Sequence, residues 1–178
     1  MNNVKSLSGI GERLSFFTLF SEKGFSVQIP IIQRDYAQGR ESESEVRSSF
    51  LDALKAYLDQ GKPNRDLDFV YGSLIEDEEG CLFTPLDGQQ RLTTLFLLHW
   101  YLGQISGRSD WLRDHLCTNG RSKFSYETRA SSAEFCDALM ANDIDMDQLL
   151  ALSNGQGSLS ATIKDKGWFY LSWVSDPT

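Results

Sequence analysis

The residues best equipped for chemistry lie in Asp87-Gly88-Gln89-Gln90-Arg91-Leu92-Thr93-Thr94-Leu95, which runs straight into the apolar stretch Phe96-Leu97-Leu98-His99-Trp100-Tyr101-Leu102. A polar start followed by an apolar run reads as the first turn of a helix, whose free backbone N–H groups and partial positive charge attract anions. Arg91 adds a guanidinium fork suited to phosphate, and Gln89, Gln90 and Thr93 add further hydrogen-bonding groups. Asp87 and Gln90 stand three residues apart, the spacing of a capping box, so Asp87 is expected as the N-cap and part of the motif is explained by helix initiation alone. A cap requires neither Arg91 nor Gln89 nor the Thr93-Thr94 pair, and Gly88 suits close approach of a ligand to backbone. The glycine-rich phosphate loop that ends in Gly-Lys-Ser/Thr is absent, so a nucleotide site here is of another construction.

A second concentration of polar groups follows an apolar run: Ile29-Pro30-Ile31-Ile32-Gln33-Arg34-Asp35-Tyr36, then Ala37-Gln38-Gly39-Arg40. Arg34 could grip phosphate bidentately, Gln33 could read a base or sugar edge, and Tyr36 could stack or donate. An Arg34–Asp35 surface pair with Tyr36 on the rim of the core accounts for the same residues. Other candidates carry less. His99 sits among apolar neighbours and reads as a core histidine. Asp143, Asp145 and Asp147 alternate like part of a calcium loop but lack its glycine and terminal glutamate, and read as a solvated acidic loop. Cys81, Cys117 and Cys136 are three and widely spaced, neither a disulfide framework nor a metal knuckle, and read as small core residues. With two histidines in the chain, no zinc site is expected.

These residues need elements to position them. Leu7, Ile10, Leu14 and Phe17 recur at helical spacing and predict an amphipathic helix over residues 7–21, with Ser6 or Ser8 as cap. Val27, Ile29 and Ile31 alternate around Pro30, which marks a strand edge or a strand end. Val46, Phe50, Leu54 and Leu58 predict a second helix, stopped by Gly61-Lys62-Pro63. Residues 67–75 and 81–86 flank Asp77-Glu78-Glu79-Gly80 and predict a β-hairpin whose second strand delivers the chain to Asp87. Beyond the long helix, Ser109 can open a short one, and Ser131-Ser132-Ala133-Glu134 has capping-box spacing ahead of another. Residues 123–129 are extended or a structured loop. Residues 142–160 are polar and predict a mobile segment, after which Ile163, Trp168, Phe169 and Leu171 to Trp173 resume an apolar helix. Asp176-Pro177 has the form of a helix start, which predicts a chain cut from something longer.

With 178 residues, 40% apolar and 24% charged, the chain suits one ordinary globular domain. No apolar run is long enough to span a bilayer and no signal peptide is visible, so a soluble, cytoplasmic protein without membrane contact is expected. The net charge of −8 argues against nonspecific nucleic-acid binding by the whole surface. Its distribution is uneven. Residues 1–40 carry five basic against three acidic side chains and residues 81–130 carry six against four, so the stretches that hold the two motifs are the locally positive ones.

Taken together, Ile29-Pro-Ile-Ile-Gln-Arg-Asp-Tyr36 and Asp87-Gly-Gln-Gln-Arg-Leu-Thr-Thr-Leu95 resemble the N-terminal domain of GmrSD-type restriction proteins. Tyr126-Glu127-Thr128-Arg129 and the ending from Trp173 to Pro177 look like the flanking part of that domain. Ile32 and Gln38 depart from the family pattern, which often has an aromatic and a tryptophan there. The resemblance implies an α+β, ParB/sulfiredoxin-like fold, a small mixed sheet with surrounding helices followed by a mainly helical segment. The expected organisation is a nucleotide-binding core over residues 1–108 and a helical extension over 109–178. It further implies binding and hydrolysis of a nucleoside triphosphate, GTP or ATP, with Mg²⁺ possible, to license a nuclease against modified phage DNA. That nuclease domain is expected C-terminal to these residues, and DNA is expected to be met by the full-length protein. By motif position, Asp87, Gln90 and Arg91 become the hydrolytic candidates, and Gln33, Arg34, Tyr36, Gly88, Gln89 and Thr93 the nucleotide-binding ones. The competing expectation is a ParB-like DNA-binding or nicking module gripping the nucleic-acid backbone with the same residues. A third is an assembly domain in which the motif merely caps a helix.

Overall fold

The computed structural model describes residues 11–30, 40–61, 66–77, 80–155 and 157–176. In chain order its elements are α1 (Phe16–Ser21), β1 (Phe25–Ile29), α2 (Ser44–Asp59), β2 (Gly72–Asp77), β3 (Gly80–Pro85), α3 (Gln89–Ile105), α4 (Ser109–Leu116), β4 (Cys117–Thr118), β5 (Arg121–Ser122), β6 (Phe124–Tyr126), α5 (Ala130–Ala141), α6 (Met146–Ser153) and α7 (Leu159–Lys164). Short 3-10 turns cover Glu41–Glu43 and Leu171–Trp173. The class is α+β, as expected.

A four-stranded mixed sheet, in the order β2-β3-β1-β6, organises the chain. β2 and β3 form the expected hairpin, antiparallel from Gly72 opposite Pro85 to Asp77 opposite Gly80, but residues 67–71, expected in its first strand, precede β2 and are not strand. β1 runs parallel to β3, with Phe25 level with Cys81 and Val27 with Phe83, and parallel to β6, with Ile29 level with Tyr126. β1 is therefore an inner strand, and Pro30, which has no N–H for a ladder, stands just past its end. The consequence is directional. β3, β1 and β6 all run the same way, so Pro85, Ile29 and Tyr126 finish at one edge of the sheet.

α3 covers the sheet because its apolar positions recur every four residues: Leu92, Phe96 and Trp100 are all buried. Phe96 stacks on Phe124 of β6 with ring centroids 4.8 Å apart, and the Trp100 indole N–H donates to the Leu139 carbonyl at 2.7 Å, tying α3 to α5. Burying a side chain such as Phe96 is worth roughly 1.5–3 kcal/mol. Phe20, Val27, Leu112, Leu116, Phe124, Cys136, Leu139, Met140, Ile144 and Ile163 share the same core, so residues on both sides of position 108 pack into one cluster.

Several expectations are corrected. Of the helix expected over residues 7–21, residues 7–10 lie outside the described residues and 11–15 are not helical; α1 starts at Phe16, because the Ser15 hydroxyl accepts from the Thr18 N–H at 3.0 Å and caps it there. Within residues 142–160 lies α6, and the Asp145 carboxylate accepts from the N–H groups of Asp147 (2.9 Å) and Gln148 (3.2 Å) and so opens that helix. Asp143 is exposed, as expected, and is bonded as well. It accepts from Arg113 and from Gln104, and these bonds, with one from Ser109, hold its carboxyl below the usual range against the opposing effect of burial. Ser131 and Ser132 form no capping box. Their hydroxyls donate to the Asp176 carboxylate, which fastens the last described residue to the start of α5. Of the apolar residues from Ile163 onward, Ile163 lies at the end of α7, Trp168 and Phe169 lie outside any helix, and Leu171 to Trp173 make a 3-10 turn, so they do not form one continuous helix.

His99 is the core histidine expected. Its Nδ1 lies 2.7 Å from the Leu95 carbonyl, its ring packs on Phe16, and burial lowers its pKa. Cys136 is fully buried, and burial raises its thiol pKa far above the ordinary value. Cys81 and Cys117 are partly buried.

Candidate functional site

The Asp87–Leu95 motif occupies the junction where β3 becomes α3, at the edge where the three parallel strands finish. Past Pro85 the hairpin is prolonged by one more rung: the N–H groups of Leu86 and Asp87 both donate to the Tyr71 carbonyl, at 2.8 and 3.2 Å. Gly88 then turns the chain with φ +82°, and its carbonyl accepts the first helical bond from the Leu92 N–H at 2.9 Å. Only glycine fits easily. A Cβ at this position would also stand 2.6 Å from Cγ2 of Val70.

Gly88, not Asp87, is therefore the N-cap, and no side chain caps α3. The expected Asp87–Gln90 capping box fails because the left-handed turn at Gly88 places Asp87 one residue too early. The Asp87 carboxylate instead accepts from Nη2 of Arg91 at 3.0 Å, one helical turn on.

Arg91 is the hub of the site. Besides Asp87 it donates from Nη1 to Oδ2 of Asp68 at 3.0 Å and from Nη2 to the Phe69 carbonyl at 2.6 Å. Its side chain is 21% exposed, whereas those of Asp68 and Asp87 are 71% and 56% exposed. The cation is thus shielded by groups that water reaches freely. Asp68 has φ +79°, a conformation that aspartate tolerates better than most residues, and its Oδ1 accepts from the Phe69 N–H at 2.8 Å. That backbone bond, and then the bond from Arg91, hold the Asp68 carboxyl below the ordinary range, so it is ionised at neutral pH.

The other motif residues are divided between surface and interior. Gln89 is buried, and its amide donates back to the Pro85 carbonyl at 2.8 Å. Thr93 is buried, donates to the Gln89 carbonyl at 3.0 Å, and lies 2.9 Å from the Tyr126 hydroxyl, bolting α3 to the end of β6. Gln90 is half-buried at the start of α3. Gln33, Arg34 and Tyr36 lie outside the described residues. What is described is their point of departure: β1 ends at Ile29, and continuing its register with β3 by two residues puts Ile29 level with Pro85. The Glu127 N–H donates to the Ile29 carbonyl at 2.9 Å, so the stretch from Tyr126 to Arg129 starts at the same edge. Asp68 and Phe69 escaped the reading of the sequence. Their bonds to Arg91 cross 22 and 23 positions of chain, and no local pattern announces such contacts.

A family model for the GmrSD restriction endonuclease N-terminal domain matches residues 16–165. The chain belongs to this family. No curated protein and no solved structure gives a match. Membership places this GmrSD N-terminal domain in a modification-dependent restriction system, a defence against phage, alongside a nuclease that acts on DNA. Among the described residues of the GmrSD N-terminal domain no helix is long and apolar enough to cross a membrane, and no three His, Cys, Asp or Glu side chains are grouped to hold a metal ion.

Proposed function

We propose that this GmrSD N-terminal domain binds and hydrolyses a nucleoside triphosphate and so controls the nuclease of its restriction system. The observation that carries the reading is Arg91, a guanidinium at the start of a helix, covered by carboxylates that are themselves exposed. A phosphate arriving at that helix end meets the positive end of the helix dipole and a fork it can take over from Asp68. Arg91 would neutralise charge that develops on the phosphates, and Gln90 or Asp87 would orient the attacking water. Gln89 and Thr93 would act by holding the helix start to β3 and β6. Gln33, Arg34 and Tyr36 remain the further nucleotide-binding candidates.

Mg²⁺ fits this donor set in one respect: Asp87 and Asp68 offer hard carboxylate oxygens beside Arg91. Two carboxylates are too few for a complete cage, so the ion would come with the nucleotide, with Asp87 as its protein ligand, and would supply charge neutralisation on the phosphates.

The test is phosphate release from GTP and ATP by the full-length protein, with and without DNA. Absence of nucleotide binding under every condition would sink the proposal. The ParB-like alternative makes the opposite forecast, binding to DNA that weakens steeply with salt and needs no nucleotide.

A sharper expectation concerns Asp68. If it is a stand-in for ligand phosphate, Asp68→Asn should tighten binding of inorganic tripolyphosphate about two- to fivefold in metal-free buffer, the worth of an exposed ion pair. Titration calorimetry on wild type and variant reads this directly; weaker binding by the variant would show that Asp68 supports the site instead of competing for it.

A further inference from the structure

Beside Arg91 lies an exposed apolar surface that the phosphate chemistry does not use. Phe69 is 81% exposed, Tyr71 61% and Leu86 49%. Val70, between the two aromatics, turns its side chain onto Gly88, while the Tyr71 carbonyl takes the N–H groups of Leu86 and Asp87. The segment is therefore held to the helix start through its backbone and through Val70, and Phe69 and Tyr71 are left facing solvent. Neighbouring exposed aromatics on one short segment are costly in water and mark a surface made to be covered.

The position identifies the cover. Arg91 donates to the carbonyl of Phe69 itself, at 2.6 Å, so one residue joins an aromatic ring to the guanidinium of the anion site. A ligand that satisfies both must be anionic at one end and flat and apolar at the other. We infer that Phe69 and Tyr71, flanked by Leu86, form the platform for the base of the nucleotide whose phosphates Arg91 holds. This rests on the nucleotide reading above and adds the subsite that separates a nucleotide from a bare polyphosphate. Stacking of a base on such a ring is insensitive to the pattern of its edge, so the platform favours nucleotides over polyphosphate without choosing strongly between purines.

The experiment compares ATP, GTP and inorganic tripolyphosphate, each with Mg²⁺, on the full-length protein and its Phe69→Ala, Tyr71→Ala and Phe69→Trp variants. Affinity for both nucleotides should fall about 5- to 100-fold in Phe69→Ala or Tyr71→Ala, the usual range for loss of one stacking partner, with tripolyphosphate unchanged. Phe69→Trp should keep nucleotide affinity, and its added indole fluorescence should be quenched by nucleotide but not by tripolyphosphate. Unchanged nucleotide affinity in both alanine variants overturns the platform while leaving the nucleotide reading intact. Equal losses for nucleotide and tripolyphosphate also overturn it, because the residues would then merely support Arg91. Loss of single-stranded DNA binding with nucleotide affinity retained would reassign the surface to nucleic acid. If wild type binds neither nucleotide nor tripolyphosphate, the nucleotide reading fails and the platform with it.

Discussion

Arg91→Ala is expected to lower nucleotide hydrolysis by the full-length protein about 100- to 1,000-fold, the usual cost of removing a donor that meets charge developing in a transition state. The side chain has two duties, which the test must separate. It ties Asp68 and Phe69 to the start of α3, and it is the cation of the proposed site. Asp68→Ala removes one of those ties and leaves the guanidinium in place. Hydrolysis retained in Asp68→Ala but lost in Arg91→Ala assigns the loss to the cation. Equal losses in the two would mean that Arg91 acts only by holding the 68–69 segment. Arg91→Lys keeps the charge without the fork, so it should recover only part of the activity. Single-turnover phosphate release, with circular dichroism to verify folding, distinguishes these outcomes.

The largest expected effect on stability is at Gly72, the first residue of β2. A Cβ there would stand 2.1 Å from the carbonyl oxygen of Thr84 and 2.7 Å from the Cα of Pro85. Both are backbone atoms of the partner strand, so no side chain can swing away. Gly72→Ala should cost about 3 kcal/mol or more. For a domain of this size that corresponds to a fall in Tm of roughly 6–12 °C. Gly167→Ala is the control, since a Cβ there meets nothing within 4 Å and the change should be within about 0.5 kcal/mol of neutral. A thermal melt in which the two variants lose similar stability would refute the argument. The clash also bears on function, because the rung beyond Gly72 is the one through which Tyr71 receives Leu86 and Asp87.

Much of the frame was legible in the residues. The β2–β3 hairpin was readable from alternation around a polar turn, and α3 from apolar residues at helical spacing. The cap of α3 was misread for a reason of the same local kind. Asp-x-x-Gln has the spacing of a box, but Gly88 has a left-handed alternative that outcompetes it, and spacing does not reveal which residue takes the turn. The serines at 131 and 132 were misread because their partner, Asp176, is more than forty positions away.

By itself the sequence determined that the Asp87–Leu95 motif stands at a strand-to-helix junction, because period, turn chemistry and helix termini are properties of neighbours in the chain. Only the tertiary structure decided what surrounds them. Parallel pairing of β1 with β3 and with β6 brings Ile29, Pro85 and Tyr126, and with them the starts of three separate motifs, to one edge of the sheet. The fold likewise sets Asp68 and Phe69 on Arg91 and leaves two aromatic rings uncovered beside it. These are contacts between residues 22 to 97 positions apart, settled by strand register and burial, and no window of sequence contains them.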